Sequence, residues 1–449
     1  MLSNLVCLGR HTVTGLLCTS GRQFHDWSAD YRMYSGPRFQ PEGIFGTVLS
    51  GVLGFLKPLE PLVTAMDDSL MRKCGKRTPG VSYRRDPMGP PFSVNLITAQ
   101  RFLQLSAAAL EGTHPCAARM IPVDFTHAPS PKKPRRSAPK ECLDEYLRLK
   151  RAMSINRLGA ERLHHCRKLL DKTDPQRPLW VTVDGRFTNG VVLKNLPEKT
   201  TIIGRIRGDA KLHYLPEAQT SGPGRKRIYG DRAPTPDELR RDQAEPWTQV
   251  PAFACGKIHN FKVKTLGPLR WRSAGRHHDL KLIVIAPLGY RLSKGSRLMY
   301  RRPAYLICTD PTISVEKILQ AYIWRWDIEV NFRDEKQLIG VGQAQVRNQN
   351  SVQSAPAMAV ASYAILLLAA EKGSRDSGLA SAPSKPRWRS RQPKRRQSTG
   401  DLISQLRAEL LAEAISDGHF SGFLTSHVDV IKPEKYPIDF KSALVYATA

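Results

Sequence analysis

The chain reads as an α/β protein whose mixed sheet is entered through a small helical unit and interrupted late by a β-rich insertion. The order of its apolar runs predicts this. Between residues 62 and 207, strand-type runs and amphipathic stretches alternate as three strands, a helix, a strand, a helix and a strand. A second group of strand-like runs lies between Asp209 and Pro311, and one long amphipathic stretch, Ile313 to Lys336, follows it.

A chain of 449 residues exceeds one ordinary core, so several domains are expected. The formal net charge is +29, with 69 Lys and Arg against 40 Asp and Glu. The usual cause of such an excess is a polyanionic partner, since phosphate contacts gain from counterion release. Membrane surfaces and ribosomes are alternatives that charge alone leaves open. Eight cysteines are scattered without a C-x-x-C pair, so neither a zinc site nor a disulfide framework is indicated, and reduced thiols in a cytosol fit best. Arg10 and His11 interrupt the first apolar stretch too early for a signal peptide. The run from Ala357 to Ala370 is too short and Ala-rich for a membrane span and reads as a buried core helix, so no membrane partner is expected.

Residues 1–58 hold three helical pieces, His11 to Gly21, Asp26 to Ser35 and Phe45 to Leu56, separated by Gly and Pro. They would either grip DNA or simply support packing. Residues 59–210 carry the first part of the core. Leu62 to Met66 is a buried-type strand ending directly in Asp67-Asp68-Ser69, Phe92 to Ser106 is a second strand or strand pair, and Ala118 to Phe125 a third. A basic Pro-rich loop follows, including 132–136, then a basic helix from Glu141 to Leu170. Pro178 to Val183 is a fourth strand running into Asp184-Gly185-Arg186, Val191 to Pro197 a helix, and Thr200 to Arg207 a fifth strand. Residues 211–311 are the β-rich insertion, 312–372 the second part of the core, 373–399 a basic disordered linker, and 400–449 a last helix and tail.

In the Ile313 to Lys336 stretch, Leu319, Ile323, Trp326 and Val330 recur as a buried stripe, with Ser314 at the N-cap and Lys317 where a capping box would have Glu. Beside that stripe, Tyr322, Arg325, Glu329 and Lys336 fall within an arc of roughly 60°. Blandly read, this is a solvated face with an Arg–Glu pair. The spacing Y-x2-R-x3-E-x6-K nevertheless resembles, position for position, the signature of the DDE transposases of bacterial cut-and-paste insertion sequences. The order of elements likewise resembles an RNase H-like core, with the β insertion where this group carries one.

The resemblance implies three carboxylates converging at one sheet edge, here Asp68, Asp184 and Glu329, as catalytic residues and metal ligands. Asp67 is the alternative first aspartate, because related families read Asp-Gly-Thr; Asp124 after the third strand is a further candidate. Two Mg²⁺ ions are expected, with Mn²⁺ able to substitute, because in-line phosphodiester chemistry needs an activated nucleophile and a stabilised leaving oxygen. Tyr322, Arg325 and Lys336 would bind DNA phosphates. Double-stranded DNA, both element ends and target, is the implied partner, with a homodimer in the synaptic complex and a cytoplasmic, nucleoid-associated location. The implied function is metal-dependent cleavage and strand transfer at terminal inverted repeats. Competing readings are an inactive or co-opted transposase-derived DNA-binding protein, and an RNase H-like nuclease without strand transfer.

Overall fold

A computed structural model describes residues 1–36, 40–75, 77–90, 92–111, 116–216, 227–275, 278–376 and 396–416. Four helices come first: α1 Leu2–Val6, α2 Val13–Thr19, α3 Ser28–Ser35 and α4 Pro41–Leu53. Strands β1 Leu62–Arg72, β2 Ser82–Arg85, β3 Leu96–Leu110 and β4 Ala118–His127 lead to helices α5 Lys140–Ala152 and α6 Ile155–Thr173. Then come β5 Leu179–Val183, the single turn α7 Gly190–Leu193 and β6 Thr200–Arg205. The insertion holds β7 Leu212–Tyr214, α8 Pro236–Arg241, β8 Thr248–Ala254, β9 Lys257–Trp271, β10 Leu280–Ile285, β11 Gly289–Tyr290, β12 Met299–Tyr300 and β13 Ala304–Cys308. Helices α9 Val315–Trp324, α10 Trp326–Gln337, α11 Ser351–Asp376 and α12 Thr399–Ser416 complete the described chain.

Eleven strands form one mixed sheet in the order β2-β3-β1-β5-β6-β13-β10-β9-β7, with β4 on β3 and β8 on β9. The β1–β5 and β5–β6 pairs are parallel and the other pairings antiparallel. The insertion strands therefore extend the core sheet. Within β1, Val63 and Ala65 point to the face covered by α9 and α10, through Ile318, Leu319, Ala321, Ile328 and Phe332. Leu62 and Met66 point the other way, toward α6. Helix α6 starts on Ser154, whose Oγ accepts the Arg157 N–H at 3.3 Å, and buries Leu163, Cys166 and Leu170 at helical spacing. Gly159 lets Met66 and Phe187 approach closely, since a Cβ there would lie 3.4 Å from Met66 and 3.3 Å from Phe187. Leu163→Ala in this layer would cost about 2–5 kcal/mol.

Helix α11 is long and apolar enough to cross a membrane, yet most of that window is buried within the fold, between β4 and α4. The N-terminal helices pack on it, Ser354 Oγ donating to the Tyr34 carbonyl at 2.8 Å, and ahead of α11 the His11 N–H donates to Gln343 Oε1 at 2.8 Å. Helix α10 ends where Gly340 takes φ +67°, and a Cβ there would collide with His11. No disulfide links the eight cysteines.

Several expectations need correcting. The stretch from Ile313 to Lys336 is two helices that meet at Arg325, not one. Around that residue the bonds run from Arg325 N–H to the Tyr322 carbonyl and from Ile328 N–H to the Arg325 carbonyl, the tighter i to i+3 pattern. The tighter turn rotates the apolar stripe, so Trp326 is 60% exposed while Ile328 and Phe332 are buried. Ser314 stands at the N-cap without a side-chain bond. Strand β1 does not end before the aspartates but runs on to Arg72, because β3 continues to pair with it there. That places Asp67 and Asp68 within β1, while Asp184 stands just past the end of β5 as expected. The Glu141 to Leu170 helix is broken at Met153 and Ser154, and Val191 to Pro197 supplies only one helical turn. In the linker, Gly373 to Asp376 still belong to α11. Residues 377–395 and the tail from 417 lie outside the described residues.

Candidate active site

Asp67 and Asp184 face one another because of strand register. The parallel β1–β5 pairing runs from Leu62↔Leu179 to Met66↔Val183, so the next residue on each strand is an aspartate at the same level. Residues level on adjacent strands share a face. Asp67 thus lies on the α9/α10 side with Ala65, and Asp68 on the α6 side with Met66. Asp184 is held in a turn: the Arg186 N–H donates to its Oδ1 at 2.9 Å, and Thr188 Oγ1 donates to its carbonyl at 2.8 Å.

Arg325, at the joint of the two helices, reaches into this centre. Its Nη1 donates to Asp67 Oδ2 at 3.1 Å and its Nη2 to Glu329 Oε1 at 2.9 Å. Tyr322 packs beside it, its ring centroid 5.7 Å from the guanidinium carbon. Burial raises the Tyr322 hydroxyl pKa, and Arg325 and Arg205 oppose the rise. Burial also pushes the Asp67 carboxyl up to about 7, Asp184 adds to the rise by repulsion, and Arg325 works against it. Asp67, Asp184, Glu329, Arg325 and Tyr322 are therefore one constellation. Lys336, further along α10, is exposed with Glu335 and Asp86 as its neighbouring acids.

The two candidates for the first aspartate have different company. Asp68 meets Arg186 Nη1 at 3.1 Å and Arg101 Nε at 3.3 Å, with Arg84 nearby. Burial raises its pKa and those arginines pull it back. Asp124 stands apart, paired with Arg162 through contacts of 2.6 and 2.8 Å on the α6 side.

Beyond Tyr322, Arg205 also lines a cleft of about 870 Å³ whose walls carry Arg207, Lys211, Arg232, Arg241 and Arg302. Arg207 and Arg241 pair there with Asp209 and Asp237. The surplus is cationic.

Among the described residues, no three His, Cys, Asp or Glu side chains stand close enough to share a metal ion. Arg325 bridges two of the three carboxylates instead. The donor set still fits a hard divalent cation, because it is all carboxylate oxygen and its half-buried Asp67–Asp184 pair is mutually repulsive. Sequence reasoning had not singled out Arg101, Arg186 or Arg205. Of these, Arg186 carried a readable signal, two residues after Asp184 in a tight Asp-Gly-Arg turn.

Acidic side chains level on adjacent parallel strands, faced by an acidic helix and ringed by arginines, define an α/β protein built to work on a polyanion. Residues 2–277 match the family described as DDE superfamily endonuclease, and the chain belongs to that family. Its members cleave DNA in the manner of transposases and generally use divalent metals. The match takes in Asp67, Asp68 and Asp184 and ends before Glu329. Comparison with curated proteins gives no match.

Proposed function

We propose that this protein is a transposase of the Y-R-E-K group, cutting DNA at the terminal inverted repeats of an insertion sequence and joining the freed ends to a target. The observation that carries this reading is the level placement of Asp67 and Asp184 with Glu329 brought to them through Arg325. In this reading Asp67, Asp184 and Glu329 hold two Mg²⁺ ions, for which Mn²⁺ can substitute. Asp67 takes the first position in preference to Asp68, because it shares a face with Glu329 whereas Asp68 is engaged by Arg101 and Arg186. When bound, the ions supply nucleophile activation and charge neutralisation on the leaving oxygen. Arg325 orients two of the carboxylates. Tyr322 and Arg205 stand where a phosphate enters, and the cationic cleft beyond them carries the strand away from the cut. Lys336 supports phosphate binding further along α10. Two copies would pair the element ends, acting in the cytoplasm on the nucleoid.

The test is cleavage of DNA carrying the native element ends. Asp184→Asn and Glu329→Gln should each bind ends normally and fail to cut them. Wild-type cutting by either variant would sink the assignment.

A further inference from the structure

We propose that the segment opening at Arg396 is a strap that positions the Glu329 helix, with Arg396 and Thr399 as positioning residues. Arg396 falls in the 373–399 stretch expected as a basic disordered linker. Instead its guanidinium grips Asp327 with both arms, Nη1 to Oδ2 at 3.1 Å and Nη2 to Oδ1 at 3.2 Å. The same Nη1 donates to Glu111 Oε1 at 3.0 Å and to the Ala118 carbonyl at 3.2 Å, so the clamp is anchored to β4 and the end of β3. Asp327 is further fixed by the Met120 N–H at 3.2 Å. Arg119 Nη2 holds the intervening backbone, donating to the Gln397 carbonyl at 2.7 Å.

The second hold comes three residues on. Thr399 Oγ1 donates to Asp334 Oδ2 at 2.7 Å in a buried site, with Tyr363 Oη 3.4 Å away. Asp327 and Asp334 lie on either side of Glu329 in α10. One short segment therefore holds the helix at both ends of the turn pair that carries the glutamate. The joint at Arg325 gives this weight. There the ladder between α9 and α10 tightens to i to i+3 bonds, so helix continuity does not by itself fix the direction of α10. Two side-chain clamps from the C-terminal segment supply what the joint gives up. A bidentate Arg–carboxylate contact fixes orientation as well as distance, which suits a positioning role.

The inference rests on Glu329 being a catalytic carboxylate, so its test separates the two claims. In the full chain, Arg396→Ala and Thr399→Val are compared with wild type by amide exchange, by Mn²⁺ binding and by single-turnover cleavage of pre-bound ends. Exchange in 326–337 should quicken by about tenfold or more while β1 and β5 stay protected. Mn²⁺ affinity and cleavage should each fall by about tenfold, with end affinity unchanged. Arg396→Lys, which keeps one charged contact of the pair, should recover part of both. If exchange in α10 is unchanged, the strap is overturned whatever the chemistry does. If exchange quickens everywhere and cleavage returns on cooling, Arg396 is a stability residue and the proposal is also overturned. If α10 alone loosens while Glu329→Gln cuts like wild type, the strap stands and the catalytic reading fails.

Discussion

Arg325 donates to Asp67 at 3.1 Å with one arm and to Glu329 at 2.9 Å with the other. Asp67 lies on a strand and Glu329 on a helix far along the chain, so one guanidinium sets the spacing between two elements. It also opposes the rise that burial and Asp184 impose on the Asp67 carboxyl, which stands at about 7. Removing Arg325 therefore raises that pKa further. On the proposed reading Asp67 holds a metal ion and must be ionised to do so, so cleavage should appear as pH climbs through its pKa. Arg325→Gln should move the acidic limb of the pH–rate profile to higher pH and lower the plateau by about 10²-fold or more. Arg325→Lys should restore the limb but little of the plateau, since an ammonium cannot reach both acids in one plane. A profile that does not move on Arg325→Gln would detach this arginine from Asp67.

The neighbouring aspartates make a second test. Asp67→Asn should abolish cleavage with the fold intact. Asp68→Asn should instead leave Arg84, Arg101 and Arg186 facing one another without their shared anion, at a cost on the order of 1–3 kcal/mol. Its cleavage should persist at reduced temperature. Thermal melts and single-turnover rates on the two variants decide it, and the reverse pattern would move the first ligand to Asp68.

That distinction was out of reach of the sequence for a physical reason. Asp67-Asp68-Ser69 after an apolar run looks like a strand exit, and only the continued pairing of β3 shows that β1 runs through it. Once the strand continues, alternation assigns the two acids to opposite faces. The alternation of strands and helices was readable because apolar periodicity survives in β1, β3, β4, β5, β6 and α6. The joint at Arg325 was not, since every residue around it is compatible with a continuous helix. The role of Arg396 was not legible either, because a charge in a basic run looks solvated until the acids that enclose it, Glu111 and Asp327, are seen in space. Asp184 was legible from its own context, an apolar strand followed by a glycine turn.

A buried acid on α10 gives a pH prediction for stability. Glu335 is fully buried, away from water, between α10 and β3. Burial pushes its carboxyl up to about 8, while Gln104 and Lys336 work against the rise. Loss of solvation favours the protonated carboxyl in the folded state. The folded state thus holds a proton that the unfolded chain releases near the ordinary glutamate value. Stability from this group is fully present below the unfolded pKa, declines as pH rises above it, and is lost above about 8. Glu335→Gln stays uncharged at every pH. It should leave Tm near its wild-type value at pH 5 and raise it by about 2–4 °C at pH 9. Parallel Tm–pH curves for the two proteins would show that Glu335 is ionised in the fold.

The cationic cleft supports the last prediction. Charge in flexible basic segments binds any duplex loosely, and each phosphate neutralised contributes to the fall of log K with log salt. Lys211, Arg232 and Arg302 differ from such charge because they line, with Arg205, one cleft whose folded walls lie around β7, α8 and β13. Replacing all three with Ala should lower the salt slope by roughly 2–3, about 0.9 for each phosphate no longer neutralised. On ends bound at saturating DNA, cleavage should drop modestly, because the strand is held less firmly in line with the cut. Replacing Lys132, Lys133, Arg135 and Arg136 in the Pro-rich loop should also flatten the slope, yet leave cleavage of saturated ends at the wild-type rate. The comparison needs binding isotherms across a salt series and single-turnover cleavage for both sets. Should the loop variant lose cleavage while the Lys211, Arg232 and Arg302 variant keeps it, the DNA leaves the acidic centre by another route.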